Sequence, residues 1–351
     1  MNQTEKIRLT QFAHGAGCGC KIAPQLLETI LEGNKAEGFL NLLVGNKGND
    51  DAAVLQLNDN EALISTTDFF TPIVDDAFIF GKTAAANALS DVYAMGGKPI
   101  LALAILGWPV DKLPAKLANQ VLEGARAICK EAGIPLAGGH SIDSPEPIFG
   151  LSVNGLVKLD QLKKNNTAKI GDLILLTKPV GTGILATAAK REILHENDLG
   201  DLYAQLTKLN SIGLLLGPYT SVSALTDLTG FGLMGHLIEM AEGAGLSVEI
   251  EYSKIPIMAQ AKPLLAQNII PDATYRNWNA YAERTQILPE VNPVESFQIL
   301  PDPQTNGGLL IAVHPSGLAE IQKLLIENGY SEFCQPIGAF TEKGEKVLVV
   351  K

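Results

Sequence analysis

The sequence has few cysteines and no long hydrophobic run, and both absences limit what the protein can be. Four cysteines in 351 residues are too few for a disulfide scaffold, and a reducing compartment would keep them as thiols. The most apolar stretch, residues 99–110, is about half as long as a membrane-spanning helix needs. Residues 1–11 are polar and lack the apolar region of a signal peptide. We therefore expect a cytoplasmic protein with no membrane partner.

Basic residues are also scarce relative to acidic ones. The 27 Lys and Arg side chains are set against 38 Asp and Glu side chains, which gives a net charge of −11. A general affinity for nucleic acid requires a basic surface, so we expect no nucleic-acid partner. An acidic protein can still bind a polyphosphate when divalent cations supply the positive charge.

Length and composition favour two domains of mixed α/β (α+β) class. At about 150 residues per domain, the chain corresponds to two domains, and its 46% hydrophobic content is enough for two cores. Strand and helix patterns mix without the regular βαβ series of a Rossmann fold. The polar stretch 158–171 predicts the boundary. We expect an N-terminal domain over 1–157, which includes a Gly-rich arm over 1–48, and a C-terminal α/β domain over 158–351.

Three local patterns predict structure near the candidate site. Strand-like segments flank a turn at 58–61 and predict a hairpin in which Asp51 and Asp68 face each other, so that a cation between them would relieve their repulsion. The Gly138-Gly139 pair predicts a corner after a short strand, with backbone N–H groups free to bind a phosphate or a ribose. Residues 253–300 are rich in Pro and Asn and predict irregular structure.

The run from His14 to Lys21 places two cysteines and a lysine among glycines. A lysine close to a thiol lowers the pKa of the thiol, and glycines let the backbone approach a ligand closely. In an extended chain Cys18 and Cys20 would point the same way, so geometry does not distinguish them. The pattern fits half of a metal site, a redox pair, a reactive thiol, or a flexible arm with incidental cysteines.

A second group of candidate residues is acidic. Asp51, Asp68 and Asp227 lie at predicted element ends or beside Gly-rich turns, and Asp91 shares a helix face with Asn87. Magnesium is commonly held by a few carboxylates together with substrate phosphates. The alternative for each single aspartate is a helix cap or a solvated surface carboxylate.

Taken together, these segments resemble the selenophosphate synthetases (selenide, water dikinases), a family in the superfamily of aminoimidazole ribonucleotide synthetase. The matching stretches run through both predicted domains in order. They are residues 8–24, 41–54, 65–76, 87–109, 136–155, 225–236 and 302–313. The first stretch, with its Gly-Cys-Gly-Cys-Lys arm, is highly specific, whereas the aspartate motifs are shared across the superfamily.

The resemblance implies a reaction in which ATP, selenide and water give selenophosphate, orthophosphate and AMP, with Mg²⁺ as cofactor. It implies Cys18 as the selenium-handling residue and Lys21 as the catalytic cation of the arm, in contact with the nucleotide phosphates. The implied magnesium ligands are Asp51, Asp91 and Asp227. The implied nucleotide-binding residues are Lys21, Gly48, Asn49, Asp50, Asp68, Asp91, Gly139, His140 and Ser141.

The resemblance also implies a two-domain architecture of mixed sheets packed with helices, and a homodimer that pairs the N-terminal sheets near the ATP site. The arm would act in its own subunit or in that of the partner, and selenium would arrive as free selenide or from a selenium-delivery protein. Two alternatives stay open. One is another ATP-using enzyme of the superfamily, which the Cys-x-Cys arm argues against. The other is a non-catalytic selenium- or metal-carrying protein, which the four aspartates argue against.

Overall fold

The computed structural model describes residues 7–22, 24–31, 39–45 and 50–351. In those ranges the strands are β1 Leu42–Val44, β2 Ala53–Gln56, β3 Glu61–Phe70, β4 Lys98–Trp108, β5 Leu136–Asp143, β6 Ile148–Lys158, β7 Leu173–Leu176, β8 Val222–Asp227, β9 Ser247–Ile250, β10 Thr285–Ile287, β11 Leu309–Val313, β12 Gly338–Thr341 and β13 Leu348–Val350. The helices are α1 Pro24–Leu31, α2 Ala77–Ala94, α3 Ala115–Glu131, α4 Thr182–Lys190, α5 Glu196–Thr207, α6 Ile212–Leu216, α7 Gly232–Ala244, α8 Ala261–Leu265, α9 Asp272–Tyr281, α10 Pro293–Ile299 and α11 Leu318–Glu327. None of these helices is both long enough and apolar enough to cross a membrane.

The N-terminal sheet has the strand order β1-β2-β3-β6-β4-β5 in the described part of the chain. Its neighbours are antiparallel except β4 and β5, which run parallel. Helices α2 and α3 pack on the sheet, where Phe80 of α2 contacts Phe70 and Phe149. Because side chains alternate along a strand, Phe69 points away from α2 and is half exposed. Helices therefore cover one face of the sheet, and the other face carries a partly exposed apolar side chain.

The C-terminal sheet has the order β10-β13-β9-β12-β7-β11-β8 among the described residues. Strand β11 reads Leu-Leu-Ile-Ala-Val and is buried along its whole length, as expected for a strand covered on both faces. It pairs antiparallel with β8, the edge strand, whose last residue is Asp227. This edge faces the N-terminal half, since β8 contacts α2.

Helix α2 lies between the two sheets and is buried on nearly every side, which explains its Ala-rich sequence. It also meets α5 and α6 of the C-terminal half. The approach is close, because a Cβ at Gly213 would lie 2.2 Å from the carbonyl oxygen of Tyr93. Asn87 and Asp91 are therefore carried into the interior between the two halves, where they are 0% and 8% exposed.

The predicted hairpin forms, but its register is one position away from the expected one. Ala53 pairs with Ser65. If the same register continues, Asp68 lies one position beyond the residue that is opposite Asp51. The side-chain oxygen of Asn58 holds the turn by accepting two backbone N–H groups that follow it. The prediction that Asp51 and Asp68 face each other directly is therefore wrong.

Two further local predictions are wrong. The Gly138-Gly139 pair lies inside β5 and not at a corner, and a Cβ on Gly139 would lie 2.0 Å from the carbonyl oxygen of Ala104 on the neighbouring strand. Residues 253–300 contain α8, α9, β10 and α10. Helix α10 begins with an Asn292 cap followed by Pro293, a helix-start signal that the Pro- and Asn-rich composition concealed.

Candidate active site

A cavity of about 960 Å³ lies where β3, α2, β8 and α7 come together. It is lined by charged side chains from the arm and from both halves of the chain. The structure brings together six of the residues that were predicted from the sequence: Lys21, Asp50, Asp51, Asp68, Asp91 and Asp227. They come from five segments that are far apart in sequence, so only the packing of the two sheets around α2 assembles them.

Hydroxyl groups next to the carboxylates hold three of them in place. Each hydroxyl belongs to a residue on a neighbouring strand or helix, so the carboxylates are oriented by regular elements and not by loops. The pairs are Thr66 with Asp91, Thr226 with Asp51 at 2.7 Å, and Ser90 with Asp227. A set of carboxylates held in this way is pre-organised for a ligand.

Burial raises the pKa of four carboxyl groups in this cavity. For Asp51 and Asp91, burial and then repulsion from Asp227 raise the pKa well above its usual value. Burial also raises the pKa of Asp50 and of Asp227 to about 6. Since each group resists carrying its charge beside the others, a cation among them would be strongly favoured.

The donor set fits Mg²⁺. The Oδ2 atoms of Asp51 and Asp227 are buried and accept no hydrogen bond from the described residues. Carboxylate oxygens are the ligands that Mg²⁺ prefers, and the ion usually keeps several water or phosphate ligands. Among the described residues, however, no group of three acidic, histidine or cysteine side chains is spaced to hold a metal ion by itself. An ion among Asp51, Asp91 and Asp227 would therefore also need ligands from water or a substrate.

Lys21 lies in the same cavity and supplies its positive charge. Its side chain is reached by solvent, and its ammonium lies 5.9 Å from the ring centroid of Phe231. Desolvation by the surrounding protein lowers the pKa of this lysine. The negative charges that face it, Asp68 above all, outweigh that effect and raise the pKa. Lys21 is therefore a permanent cation beside the carboxylates.

The two cysteines of the arm have different surroundings. Residues Gly17–Cys20 form a 3₁₀ turn, which buries Cys18 to 1% exposure and leaves Cys20 exposed. The backbone N–H of Cys18 donates to the hydroxyl of Thr305 at 2.9 Å, and its thiol donates to Oδ1 of Asn87 at 3.3 Å. The prediction that both cysteines point the same way is therefore wrong.

The thiol of Cys18 is not activated in this conformation. Burial raises the pKa of the thiol well above its usual value, and the charge of Asp68 raises it further. Lys21 lowers the pKa, as its place in the sequence suggested, but this effect is smaller than the other two. The effect of the nearby lysine expected from the sequence is therefore present, but burial outweighs it in the docked arm.

The arm is docked on both halves of the chain by residues that sequence reasoning missed. Asp75 accepts hydrogen bonds from Nε of Arg8 at 2.8 Å and from the hydroxyl of Thr10 at 2.6 Å. Lys190, the last residue of α4, donates to the carbonyl of Ala13 at 3.0 Å. Arg8 and Asp75 lie in two of the matching stretches but are 67 positions apart, so the sequence alone did not show that they form an ion pair.

Three of the predicted nucleotide-binding residues do not line this cavity, and two lie outside the described part of the chain. Gly139, His140 and Ser141 are exposed on β5, the edge strand of the N-terminal sheet, and do not line the cavity of the same chain. Gly48 and Asn49 lie outside the described residues.

The cavity extends past the predicted residues along α7. Nε2 of His236 accepts hydrogen bonds from the N–H and the hydroxyl of Thr229, and burial lowers the pKa of this histidine to about 3. Burial raises the pKa of Glu239, on the same helix, to about 7. Glu239 was missed because the helical pattern shows only a polar position. This end of the cavity therefore carries a neutral histidine and a carboxyl group that titrates near neutral pH.

Comparisons with known proteins agree with this architecture. Models of the AIR synthase related protein family match the chain with their N-terminal domain over residues 49–157 and their C-terminal domain over residues 169–351. A curated selenide, water dikinase of Shewanella sp. (strain W3-18-1) is 53% identical over 94% of this chain and 93% of its own length. The protein of the same name from Pseudomonas aeruginosa is 51% identical over 97% of both chains.

Solved structures with the same fold are more distant in sequence. Thiamine-monophosphate kinase from Stenotrophomonas maltophilia K279a is similar with a TM-score of 0.63 at 20% identity, over 95% of this chain and 96% of that one. A structure of hydrogenase maturation protein HypE in complex with ATP gives a TM-score of 0.67 at 18% identity, over 86% and 84%. At these identities the likeness concerns the fold alone. The chain belongs to the AIR synthase related family, in the branch formed by the selenide, water dikinases.

Proposed function

We propose that the protein is an ATP-dependent enzyme that converts ATP, selenide and water into selenophosphate, orthophosphate and AMP. The observation that carries this proposal is a single cavity that joins Lys21 to five aspartates, with the cysteine-bearing arm packed against it. Identities of 51–53% to curated selenide, water dikinases over nearly the whole chain support the choice of substrates.

The carboxylates and Lys21 would bind the nucleotide in different ways. ATP carries about four negative charges, which the cluster would repel without divalent cations. Asp51, Asp91 and Asp227 would hold Mg²⁺, which neutralises phosphate charge and bridges the substrate to the protein. Lys21 faces the same space with a permanent positive charge and would contact the phosphates directly.

The arm supplies the selenium chemistry and covers the site. Cys18 is buried at the edge of the cavity, beside Gly230, where a Cβ would lie 2.7 Å from the Cys18 carbonyl oxygen and 3.0 Å from Cδ of Lys21. This close packing fits an arm that closes over reacting phosphoryl groups and excludes water. We assign the selenium-handling role to Cys18 because it is buried and hydrogen-bonded to Asn87, whereas Cys20 is exposed.

The nucleotide site would be completed across a homodimer. Gly139, His140 and Ser141 lie on an exposed edge strand, so they would reach a nucleotide bound by a second copy. The exposed apolar side chains of Phe69 and of Ile100, Leu103 and Ile142 on the N-terminal sheet support pairing through this sheet. Sedimentation should give about twice the chain mass of 37.3 kDa, whereas a fully active monomer would contradict this proposal.

We also propose that the protein is cytoplasmic. It would receive selenium as free selenide or from a delivery protein.

A comparison of Cys18→Ser with Cys20→Ser tests the proposed reaction. We expect the wild-type protein to form AMP from ATP only when selenide is present. Cys18→Ser should abolish this turnover but keep Mg²⁺-dependent nucleotide binding, because the carboxylates are untouched. Cys20→Ser is the matched control two positions away and should remain active. Selenophosphate measured by ³¹P NMR and binding measured by calorimetry separate the two steps. Normal selenophosphate formation by Cys18→Ser would contradict the assignment.

A further inference from the structure

Asn87 is a fully buried polar residue in the middle of α2, and its amide group joins three separate parts of the site. Its Oδ1 accepts the thiol of Cys18 at 3.3 Å and the backbone N–H of Asn306 at 2.7 Å. Its Nδ2 donates to Oδ2 of Asp68. One amide therefore connects the arm, the loop before β11 and the carboxylate side of the cavity.

The orientation of this amide is set by its neighbours. The backbone N–H of Asn306 can only donate, so the amide atom that faces it must be the oxygen. An ionised carboxylate can only accept, so the nitrogen faces Asp68. The group left for Cys18 is consequently an acceptor, and the thiol meets it as a donor.

Asn306 is itself fixed from behind, which fixes the position of Oδ1 of Asn87. The side-chain amide of Asn306 donates to the carbonyl oxygens of Leu206 at 2.8 Å and Lys208 at 2.9 Å. The buried ammonium of Lys178 donates to the Asn306 carbonyl at 2.9 Å. The acceptor offered to Cys18 is thus held by a network of buried hydrogen bonds and cannot turn away easily.

We propose that Asn87 is a positioning residue that keeps Cys18 as a protonated, unreactive thiol for as long as the arm is docked. An acceptor for the S–H hydrogen stabilises the neutral form of a thiol and so opposes formation of the thiolate nucleophile. The thiol becomes reactive once its hydrogen bond to Asn87 is broken. This inference rests on the proposed function, since it assumes that Cys18 is the reacting cysteine.

Asn87 acts in addition to the charges that surround Cys18. Asp68 on β3 disfavours the thiolate, as does Cys20, whereas Lys21 favours it. The hydroxyl of Thr305 also lies against Cys18, and its hydrogen bond lowers the pKa of the thiol. Among these neighbours, Asn87 is the one that accepts the hydrogen of the thiol.

Two variants of similar size separate this role from simple packing. Asn87→Leu removes the acceptor, whereas Asn87→Asp keeps an acceptor and adds a negative charge. The readout is the rate at which iodoacetamide alkylates Cys18, measured for each cysteine by peptide mass spectrometry as a function of pH, with Cys20 as internal reference. We expect Asn87→Leu to alkylate Cys18 about tenfold faster than wild type, with a lower pH midpoint. Asn87→Asp should be no faster than wild type, with a higher midpoint.

The outcomes that overturn the inference are equally specific. An unchanged rate in Asn87→Leu would show that the acceptor does not restrain the thiol. Equal acceleration in both variants would show that Asn87 only packs the arm. If Asn87→Leu does not fold, Asn87→Ala replaces it in the same comparison with Asn87→Asp. Because alkylation needs no substrate, its result is independent of whether the wild-type protein forms AMP from ATP and selenide, which tests the proposed function itself.

Discussion

Removal of the Asp75 carboxylate should release the arm from the body of the protein. Its Oδ2 accepts Nε of Arg8 at 2.8 Å, and its Oδ1 accepts the N–H and the hydroxyl of Thr10 at 3.0 and 2.6 Å. Burial acts to raise the pKa of Asp75, but the hydrogen bonds from Thr10 and Arg8 outweigh it and hold the pKa below its usual range. The carboxylate is therefore ionised at neutral pH and makes charge-assisted hydrogen bonds to the arm.

The size of the effect follows from these contacts. A hydrogen bond to a charged group contributes about 1.5–3 kcal/mol. The side chain of Asp75 is 23% exposed, so water recovers part of the loss in Asp75→Ala. A net cost of about 2 kcal/mol corresponds to a fall of roughly 30-fold in the ratio of docked to undocked arm.

Alkylation of Cys18 measures this ratio, because Cys18 is 1% exposed when the arm is docked. We expect Asp75→Ala to raise the alkylation rate by roughly 30-fold and to lower kcat/KM by up to the same factor. The matched control is Asp76→Ala, which removes the N-cap of α2 through Ile79 N at 2.9 Å but no described contact to the arm. An unchanged rate in Asp75→Ala, or the same rise in Asp76→Ala, would refute the reasoning.

Three further predictions concern the cavity. Asp227→Asn should raise the melting temperature of the metal-free protein at neutral pH and remove its stabilisation by Mg²⁺, since it replaces a buried carboxylate that has an unpaired oxygen. The pKa of Asp227 is about 6 in the folded protein and 3.8 when the group is unperturbed. The metal-free wild type should therefore lose stability as the pH rises from about 4 to about 6. Above this range, Mg²⁺ should restore the lost stability. Denaturant unfolding with and without Mg²⁺ checks the effect of Asp227→Asn and the pH dependence of the wild type. Lys21→Ala should slow turnover by roughly 30- to 1000-fold, equivalent to about 2–4 kcal/mol, and weaken nucleotide binding in calorimetry; unchanged turnover would exclude a phosphate contact.

Much of the fold could be predicted because it depends on local pattern. The hairpin of β2 and β3 could be predicted because two strand-like segments flank a recognisable turn at 58–61. The aspartates could be found because carboxylates beside Gly-rich turns are a recognisable local motif. The register of the hairpin could not be found by symmetry, because the side chain of Asn58 determines it.

The chemistry of the arm depends on long-range packing and was not predictable in the same way. From the sequence, Lys21 lies three positions after Cys18 and was expected to lower the pKa of the thiol, which left a reactive thiol as one of several interpretations. Burial outweighs that effect, and burial is a property of the packed chain. The two hydrogen bonds that fix the environment of the thiol join residues far apart in sequence. Cys18 and Asn87 are 69 positions apart, and Asn87 and Asn306 are 219 positions apart.

The products of ATP consumption test the central claim most directly. Under anaerobic conditions with Mg²⁺, ATP and selenide, ³¹P NMR should show selenophosphate, orthophosphate and AMP in equal amounts, with no reaction of comparable rate when selenide is left out. Consumption of ATP that does not depend on selenide, or that ends at ADP without selenophosphate, would contradict the account.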